Sequence, residues 1–222
     1  MCLRFIALLI LIFNGIISFA AKKEGNKELI TMAVGQVMDE IVTSRQVNMS
    51  YFLETVLFGK KNKSVPKEYY DVSSKEFARE VTAVILEKVV YEESKGFDIT
   101  KVNNSEFLEA KNKFLKNSKN IKLWQKLKVT DSELSELLKR KLQAKKFIRF
   151  KVDSSIVPIT DDEARAYFEE NRVKFGNLPF ENFKQNIRAF LGRKQIDTRL
   201  KDWFDVLQNK YKVRNFMSET ES

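Results

Sequence analysis

The fold is decided by residues 159–216, ITDDEARAYFEENRVKFGNLPFENFKQNIRAFLGRKQIDTRLKDWFDVLQNKYKVRNF. Thr160 and Glu163 form a capping-box pattern, in which the hydroxyl and the carboxylate satisfy first-turn amides of a helix. This pattern predicts a helix over residues 161–171. Apolar residues at three- and four-residue steps then predict one long helix over residues 179–210. Because so long an amphipathic helix needs a partner, we expect the earlier helices predicted at about 74–95 and 131–152 to cover its apolar face.

The remainder of the chain also predicts mainly helical structure. The low count of seven glycines and three prolines favours long helices over a turn-rich β fold. Capping residues before apolar periodic runs predict helices from about residue 44 to Gly59, over 74–95, from about 104 to 116 and over 131–152, with a short turn at 121–124. Strands are predicted at 29–34, 40–43 and 211–216. The predicted fold is a multi-helix bundle with a long C-terminal helix. The last predicted strand of the chain pairs with the first in a small sheet.

The N-terminus has the pattern of a secretory signal peptide. Arg4 precedes an apolar run, and Ser18 and Ala20 place small residues at a cleavage site after residue 20. An uncleaved membrane anchor is the alternative, but the apolar run is short for a spanning helix. Residues 21–222 are then expected to form a single domain. The only cysteine, Cys2, leaves with the signal peptide, so no disulfide is expected.

The composition excludes several kinds of active site. The chain has no histidine, which excludes a Ser-His-Asp triad, a histidine general base and almost every zinc or iron site. The acidic run at 161–163 is interpreted as a helix cap rather than a metal site, because acids complement a helix N-terminus. We therefore expect neither a catalytic centre nor a metal or other cofactor.

Basic residues outnumber acidic ones by 40 to 30, for a net charge of +10. They are dense at Lys111–Lys128 and at Lys139–Lys151. One interpretation is weak contact with an anionic membrane surface, and the other is a solvated helix face opposite the leucine stripe. No recognised nucleic-acid module is present, so a nucleic-acid partner is not expected.

The motifs IVTSRQV and ITDDEARAYF, taken in this order along the chain, resemble motifs of the SurA family of extracytoplasmic chaperones, which are related to PpiD and PrsA. The motif IVTSRQV at residues 41–47 ends the predicted strand pair, and ITDDEARAYF at residues 159–168 follows the helices. The resemblance implies a periplasmic protein with the N-terminal fold of that family. It also implies that the long helix is the segment that returns after an inserted parvulin prolyl-isomerase domain.

That inserted domain is missing from this chain. Only residues 176–179 stand in its place, far too few for a domain, and parvulin sites use histidines. The resemblance therefore implies a chaperone that binds unfolded or outer-membrane protein clients without ATP and without prolyl isomerase activity. Two alternatives stay open. One is a non-catalytic accessory or adaptor protein of the cell envelope with one dedicated partner, and the other is a residual prolyl isomerase.

A chaperone of this kind needs partly exposed apolar surface rimmed by charge. The candidate client-binding residues are the aromatic residues that fall outside clean helical faces, namely Phe52, Phe58, Tyr69, Tyr70, Phe175 and Phe180. The alternative is that they are core residues, as aromatic residues commonly are. Trp124 and Trp203 are predicted to belong to the core.

Overall fold

The computed structural model describes residues 31–59 and 68–219. The predicted signal peptide and residues 21–30 of the predicted domain lie outside the described residues. The strands are β1 (Ala33–Val37), β2 (Glu40–Thr43) and β3 (Arg214–Asn215), and the helices are α1 (Ser44–Phe58), α2 (Lys75–Ser94), α3 (Asn104–Ser118), α4 (Lys122–Lys126), α5 (Asp131–Ser154), α6 (Asp161–Glu170), α7 (Lys184–Lys210) and α8 (Phe216–Glu219), with 3-10 turns at Asp98–Thr100, Arg172–Lys174 and Phe180–Asn182. The prediction of a mainly helical fold with a small sheet is confirmed.

Side-chain caps begin helices α1, α2, α3, α5 and α6 close to where the sequence predicts them, whereas α7 has no side-chain cap. The Gln46 amide donates a hydrogen bond to the Thr43 hydroxyl at 3.2 Å, and the Thr43 amide donates one to the Gln46 side chain at 3.1 Å. Each such cap is worth about 1 kcal/mol. The other capping residues are Ser74 before α2, Asn103 before α3, Thr130 before α5 and Thr160 before α6.

The antiparallel sheet has the strand order β2-β1-β3, so the predicted pairing between the first and last strands is confirmed. The prediction that β1 spans residues 29–34 is wrong at its C-terminal end, because the strand continues to Val37. The turn to β2 then consists of Met38 and Asp39 alone. Met38 takes a φ of 51°, and this left-handed conformation reverses the chain within two residues.

The last strand is shorter than predicted, since β3 contains only two residues rather than 211–216. The Tyr211 amide donates to the Leu207 carbonyl at 2.9 Å, so Tyr211 still belongs to the end of α7. Lys212 then turns the chain with a φ of 48°, and Phe216 already begins α8. The sequence predicts a strand over residues 211–216, but Tyr211 belongs to the end of α7 and Phe216 to α8, so the strand is limited to residues 214 and 215.

We define the body as the described residues up to 155 together with residues 207–219. It contains two apolar cores. In the first, α2 packs against the sheet and α5, and its buried members include Val34, Phe77, Val89, Phe147 and Leu207. In the second, α1 and α3 pack against α5, and its buried members include Phe52, Leu53, Phe114 and Leu138. Helix α5 joins the cores because its N-terminal half lies in the second and its C-terminal half in the first.

Both tryptophans pack against these cores while remaining partly exposed. The Trp124 ring meets the Phe114 ring edge-on, with 4.8 Å between centroids. The Trp203 ring meets the Phe147 ring in the same way at 5.6 Å. They therefore lie at the rims of the second and first cores.

We define the arm as residues 159–191, which form a separate aromatic cluster. Its buried members are Ile159, Ala164, Phe168, Phe180 and Ile187. The prediction that the long helix begins at Pro179 is wrong, because Phe180–Asn182 forms a 3-10 turn and α7 begins at Lys184. The turn directs the Phe180 ring onto Phe168, with 5.6 Å between the ring centroids.

A charged cluster is buried between α2 and α5. The Glu87 side chain is only 10% exposed and lies 3.0 Å from Arg140 Nε and 2.6 Å from Lys141 Nζ. Lys141 Nζ also lies 3.3 Å from a carboxylate oxygen of Glu54 on α1. Burial alone would raise the pKa of Glu87, but Lys141 and Arg140 outweigh it and hold that pKa below its ordinary value. The cluster ties α1, α2 and α5 together.

Candidate client-binding surface

The longest helix, α7, is covered near its ends and left open in its middle. Of its 27 residues only Ile187 and Leu207 are buried. Helix α6 packs against its N-terminal half, while α2 and Phe147 of α5 contact its C-terminal part. The prediction that α2 and α5 cover the long helix is therefore confirmed only towards its C-terminus.

The segment between α5 and α6 runs beside this open middle. Arg199 Nη1 donates a hydrogen bond to the Ser155 carbonyl at 2.6 Å. Ile159 packs against Gly192, where an added Cβ would lie 3.9 Å from Ile159 Cγ1. These two contacts align residues 156–158 with residues 193–198 of α7, with the two chain segments running in opposite directions.

We call six partly exposed apolar side chains of this region the apolar strip, of which Leu191 also packs against the arm cluster and the Phe190 ring lies 5.4 Å from the Tyr167 ring between centroids. Its exposed members are Ile156, Val157 and Phe190, and its half-buried members are Leu191, Ile196 and Leu200. The exposed fractions are 58% for Ile156, 47% for Val157 and 45% for Phe190. The part of the strip on α7 is about 15 Å long at the rise of an α-helix. An extended peptide of about five residues would match it.

Charged side chains of both signs border the apolar strip. Arg193, Lys194, Asp197 and Lys201 are all exposed on α7. Such a rim keeps an apolar surface in solution without imposing one sign of charge on its partner. The strip is therefore suited to apolar contacts with chains of varied sequence.

Three of the four candidate aromatic residues in the body pack against other side chains or form a hydrogen bond within the body. Phe52 is fully buried in the second core, so its predicted place on the surface is wrong; it lies on the face of α1 that packs against α3 and α5. The Tyr69 hydroxyl donates to the Leu123 carbonyl at 2.6 Å, and burial raises the pKa of this phenol. The Tyr70 ring lies against the Tyr51 ring at 4.4 Å.

Phe58 is the most exposed of these four, at 37%. Lys145 Nζ lies 3.5 Å from its ring centroid, in cation–π geometry. The ring thus already has a cation as a neighbour within the body.

The two candidates near the four-residue link belong to the arm cluster. Phe180 is buried, which corrects its predicted surface position, and the Arg165 guanidinium covers its ring at 4.5 Å. Phe175 is half-buried against Phe168 and Phe183, with 4.9 Å between centroids in each case. The link therefore closes over a packed cluster rather than lining an open groove.

None of the six candidates belongs to the apolar strip. In the sequence, Phe190 and its neighbours fit the apolar face of a long helix, and that face predicts burial. Ile156 and Val157 lie in a short linker with no periodic signal. The sequence alone does not identify the strip, because its exposure depends on which elements lie beside α7.

The basic run on α5 is partly buried, so its interpretation as a wholly solvated face is wrong. Arg140 and Lys141 are buried with Glu87, whereas Lys139 and Arg149 are exposed. The carboxylates that pair with the buried cations come from α1 and α2, far away in the sequence.

The acidic run at the start of α6 acts as a cap, as predicted. The Glu163 amide donates to the Thr160 hydroxyl at 3.2 Å. Asp161 lies 2.5 Å from Lys184 Nζ, and the hydrogen bond from Lys184 lowers the pKa of this carboxyl. Within residues 31–59 and 68–219, no group of three or more metal-ligating side chains could hold an ion.

The clefts of the body are lined by polar and apolar side chains. A cleft of about 450 Å³ lies between α3 and α5, lined by Val102, Asn104, Phe107, Ser132, Ser135, Glu136 and Lys139. In the part of the chain that the structure describes, no helix has both the length and the apolar character needed to cross a membrane.

Comparison of the chain with protein-family models, curated proteins and solved structures finds no match.

Proposed function

We propose that this protein is an ATP-independent periplasmic chaperone, or chaperone-like module, that binds unfolded polypeptides such as outer-membrane β-barrel proteins. Its binding surface is the apolar strip. The single observation that carries the proposal is the middle of α7, where apolar side chains of a 27-residue helix stay exposed or only half-buried among the described residues. Surfaces of this type mark sites of protein interaction.

Membership of the SurA-like family is part of the proposal. It is supported by the capped starts of α1 and α6, by the sheet that joins β1 to β3, and by the return of α7 from the arm to the body. In this proposal, Gly176–Pro179 replaces an isomerase domain, and binding is not coupled to prolyl isomerisation.

Suppression of aggregation tests the function. A urea-unfolded outer-membrane protein is diluted into buffer without ATP, and light scattering is followed with increasing amounts of the mature protein. Suppression is expected at near-stoichiometric ratio. Undiminished aggregation in large excess of the protein would contradict the proposal.

A matched pair of variants assigns the activity to the strip. The strip variant is Ile156→Ser, Val157→Ser and Phe190→Ser. The control variant is Ile41→Ser, Leu108→Ser and Leu115→Ser, which removes three apolar side chains of the body that are each 45% exposed. We expect the strip variant to lose about tenfold or more in client affinity and the control to lose less than about twofold, since only the first removes contacts with the client.

Two further measurements separate the alternatives. Pull-down from envelope extract should return many unfolded clients, whereas one dedicated partner would identify an adaptor. A proline-limited refolding assay should show the uncatalysed rate, and catalysis that survives purification would identify a prolyl isomerase.

A further inference from the structure

One end of the body, formed by α3 and α4, carries a cluster of cations without carboxylate partners. Residues 110–130 contain no aspartate or glutamate. Six lysines of this segment are exposed: Lys113, Lys116, Lys119, Lys122, Lys126 and Lys128. Within the described part of the chain, none of the six forms an ion pair. We call them the lysine cluster.

Several cations elsewhere in the body form ion pairs. Lys111, just before the cluster, lies 2.7 Å from Asp131. Lys88 lies 2.8 Å from Glu40, and Arg45 lies 2.6 Å from Glu133. The fold thus pairs several cations across elements, whereas the α3–α4 end concentrates six exposed lysines in one segment that contains no acidic residue.

Hydrogen bonds and ring packing hold the two helices of this end together. The Gln125 side-chain amide donates to the Lys119 carbonyl at 2.8 Å. The Trp124 ring of α4 meets the Phe114 ring of α3 at 4.8 Å. The α4 lysines are thereby fixed beside the C-terminal turn of α3, so the charges of both helices add at one place.

Two leucines on α3 accompany the lysines. Leu108 and Leu115 are each 45% exposed, although the second core lies directly beneath α3. Their seven-residue spacing places them on one face of the helix, and Lys119, four residues after Leu115, shares that face. The surface therefore presents aliphatic side chains next to unpaired ammonium groups.

We propose that the α3–α4 end of the body binds the surface of an anionic lipid bilayer. The lysine cluster contacts the anionic headgroups, and Leu108 and Leu115 enter the boundary between headgroups and acyl chains. A nucleic acid would use the charge but not the leucines, which is why the combination favours a bilayer. The apolar strip on α7 consists of other residues and remains available to clients.

Flotation with vesicles tests this proposal on the mature protein. Vesicles of equal parts phosphatidylcholine and phosphatidylglycerol should carry the protein upward, whereas pure phosphatidylcholine vesicles should leave it in solution. Raising sodium chloride from about 0.1 M to about 0.5 M should weaken binding about tenfold or more, because the screening length falls. Equal binding to both kinds of vesicle would overturn the proposal.

Two charge variants distinguish the cluster from overall charge. Neutralisation by Lys116→Gln, Lys119→Gln, Lys122→Gln and Lys126→Gln should weaken vesicle binding roughly 100-fold or more. The control is Arg149→Gln, Arg193→Gln, Lys194→Gln and Lys201→Gln, which removes the same charge from exposed residues of α5 and α7 that form no ion pair within residues 31–59 and 68–219. It should weaken binding by less than about threefold. Equal loss in the two variants would show that net charge alone attracts the protein, which would overturn the assignment to this surface.

A third variant tests the leucines. Leu108→Ser with Leu115→Ser should reduce vesicle affinity several-fold while leaving binding to a single-stranded RNA oligonucleotide unchanged, because only a bilayer accepts aliphatic side chains. Circular dichroism confirms the fold of each variant. Binding to RNA through the lysine cluster, without binding to vesicles of matched charge, would identify a polyanion site and overturn the bilayer proposal.

Discussion

Between α2 and α5 the body encloses the side chains of Glu87, Arg140 and Lys141, each no more than 10% exposed, whereas the middle of α7 leaves Phe190 and Leu200 partly exposed. Helices α2 and α5 pack against each other extensively, so even charged side chains between them are enclosed and must be paired. Helix α7 is covered chiefly near its ends. The exposure of an apolar residue in this protein therefore depends more on the elements packed beside its helix than on its own hydrophobicity.

The arm is intermediate between these two regions in how completely its side chains are enclosed. It encloses Phe168 and Phe180 fully, but its cluster draws only on residues 159–191. The Arg165 guanidinium lies 4.5 Å from the centroid of the Phe180 ring, and the Arg172 guanidinium lies 4.6 Å from the centroid of the Phe168 ring. A small core of this kind opens more readily than the cores of the body, because fewer contacts hold it closed.

The largest expected effect comes from Glu87→Gln in the body. The change leaves the buried Arg140 without a carboxylate and Lys141 with Glu54 alone, and breaking a buried pair in this way costs about 3–5 kcal/mol of unfolding free energy. Urea unfolding measures the loss. Glu76→Gln is the control, since its pair with Arg79 is exposed and should contribute less than about 1 kcal/mol. A loss of under 1 kcal/mol for Glu87→Gln would show that the body does not depend on the buried cluster.

Phe168→Ala should open the arm while sparing the body. The cavity costs up to about 3 kcal/mol, which corresponds to roughly 100-fold lower hydrogen-exchange protection in α6. Protection in α2 should be unchanged. The control is Phe114→Ala at another fully buried ring, which should lower protection in α1, α3 and α5. Equal loss of protection in α2 and α6 would mean that arm and body unfold as one unit.

Acid should remove the stabilisation that the partly exposed Arg45–Glu133 ion pair gives the body, and this loss should be smaller than those of the two substitutions above. Hydrogen bonds from Arg45, and then from Thr130, lower the pKa of Glu133 to about 2 from its ordinary 4.5. A lowered pKa in the folded state stabilises the protein above the ordinary value, and this stabilisation is lost as the pH falls from about 5 towards 2. Because solvent screens the half-exposed carboxylate, we expect a contribution of about 1 kcal/mol.

Urea unfolding of the wild type and Glu133→Gln at a series of pH values measures this contribution. The difference in unfolding free energy should be constant above about pH 5 and shrink below it. A difference that does not change between pH 6 and pH 3 would contradict the assignment to the Arg45–Glu133 pair.

The smallest effect on stability should come from the apolar strip itself. Phe190→Ser changes a ring that is 45% exposed, so the unfolding free energy should fall by less than about 1 kcal/mol. Thermal unfolding measures it, with Phe183→Ser on the inner side of the arm as the more costly comparison. A loss of several kcal/mol would show that Phe190 serves the packing of the arm rather than a partner.

Local signals in the sequence predicted most helix starts. Thr43, Thr130 and Thr160 each precede a glutamine or glutamate at the capping-box spacing, and each begins a helix as predicted. Such signals are reliable because cap and capped amide are three residues apart. The start of α7 was missed because the 3-10 turn at Phe180 depends on contact with Phe168, which belongs to another helix.

The candidate surface was harder to predict than the fold. Whether Phe190 is buried or exposed depends on which element lies beside α7, and periodicity alone gives the same pattern in both cases. The local sequence does not predict the burial of Arg140 either, because its partner Glu87 lies 53 residues away in the chain. Long-range packing therefore decides both the buried charges and the exposed apolar strip.

Site-specific photo-crosslinking to an unfolded outer-membrane protein tests the role of the strip most directly. A photo-reactive residue is placed singly at Ile156 or Phe190 in the strip, and at Ile41 or Leu108 in the body, all of them 45% exposed or more. We expect strong crosslinks to the client from the two strip positions and weak ones from the two body positions, together with competition by an unlabelled client. Equal crosslinking from all four positions, or none from the strip, would contradict client binding by the open middle of α7.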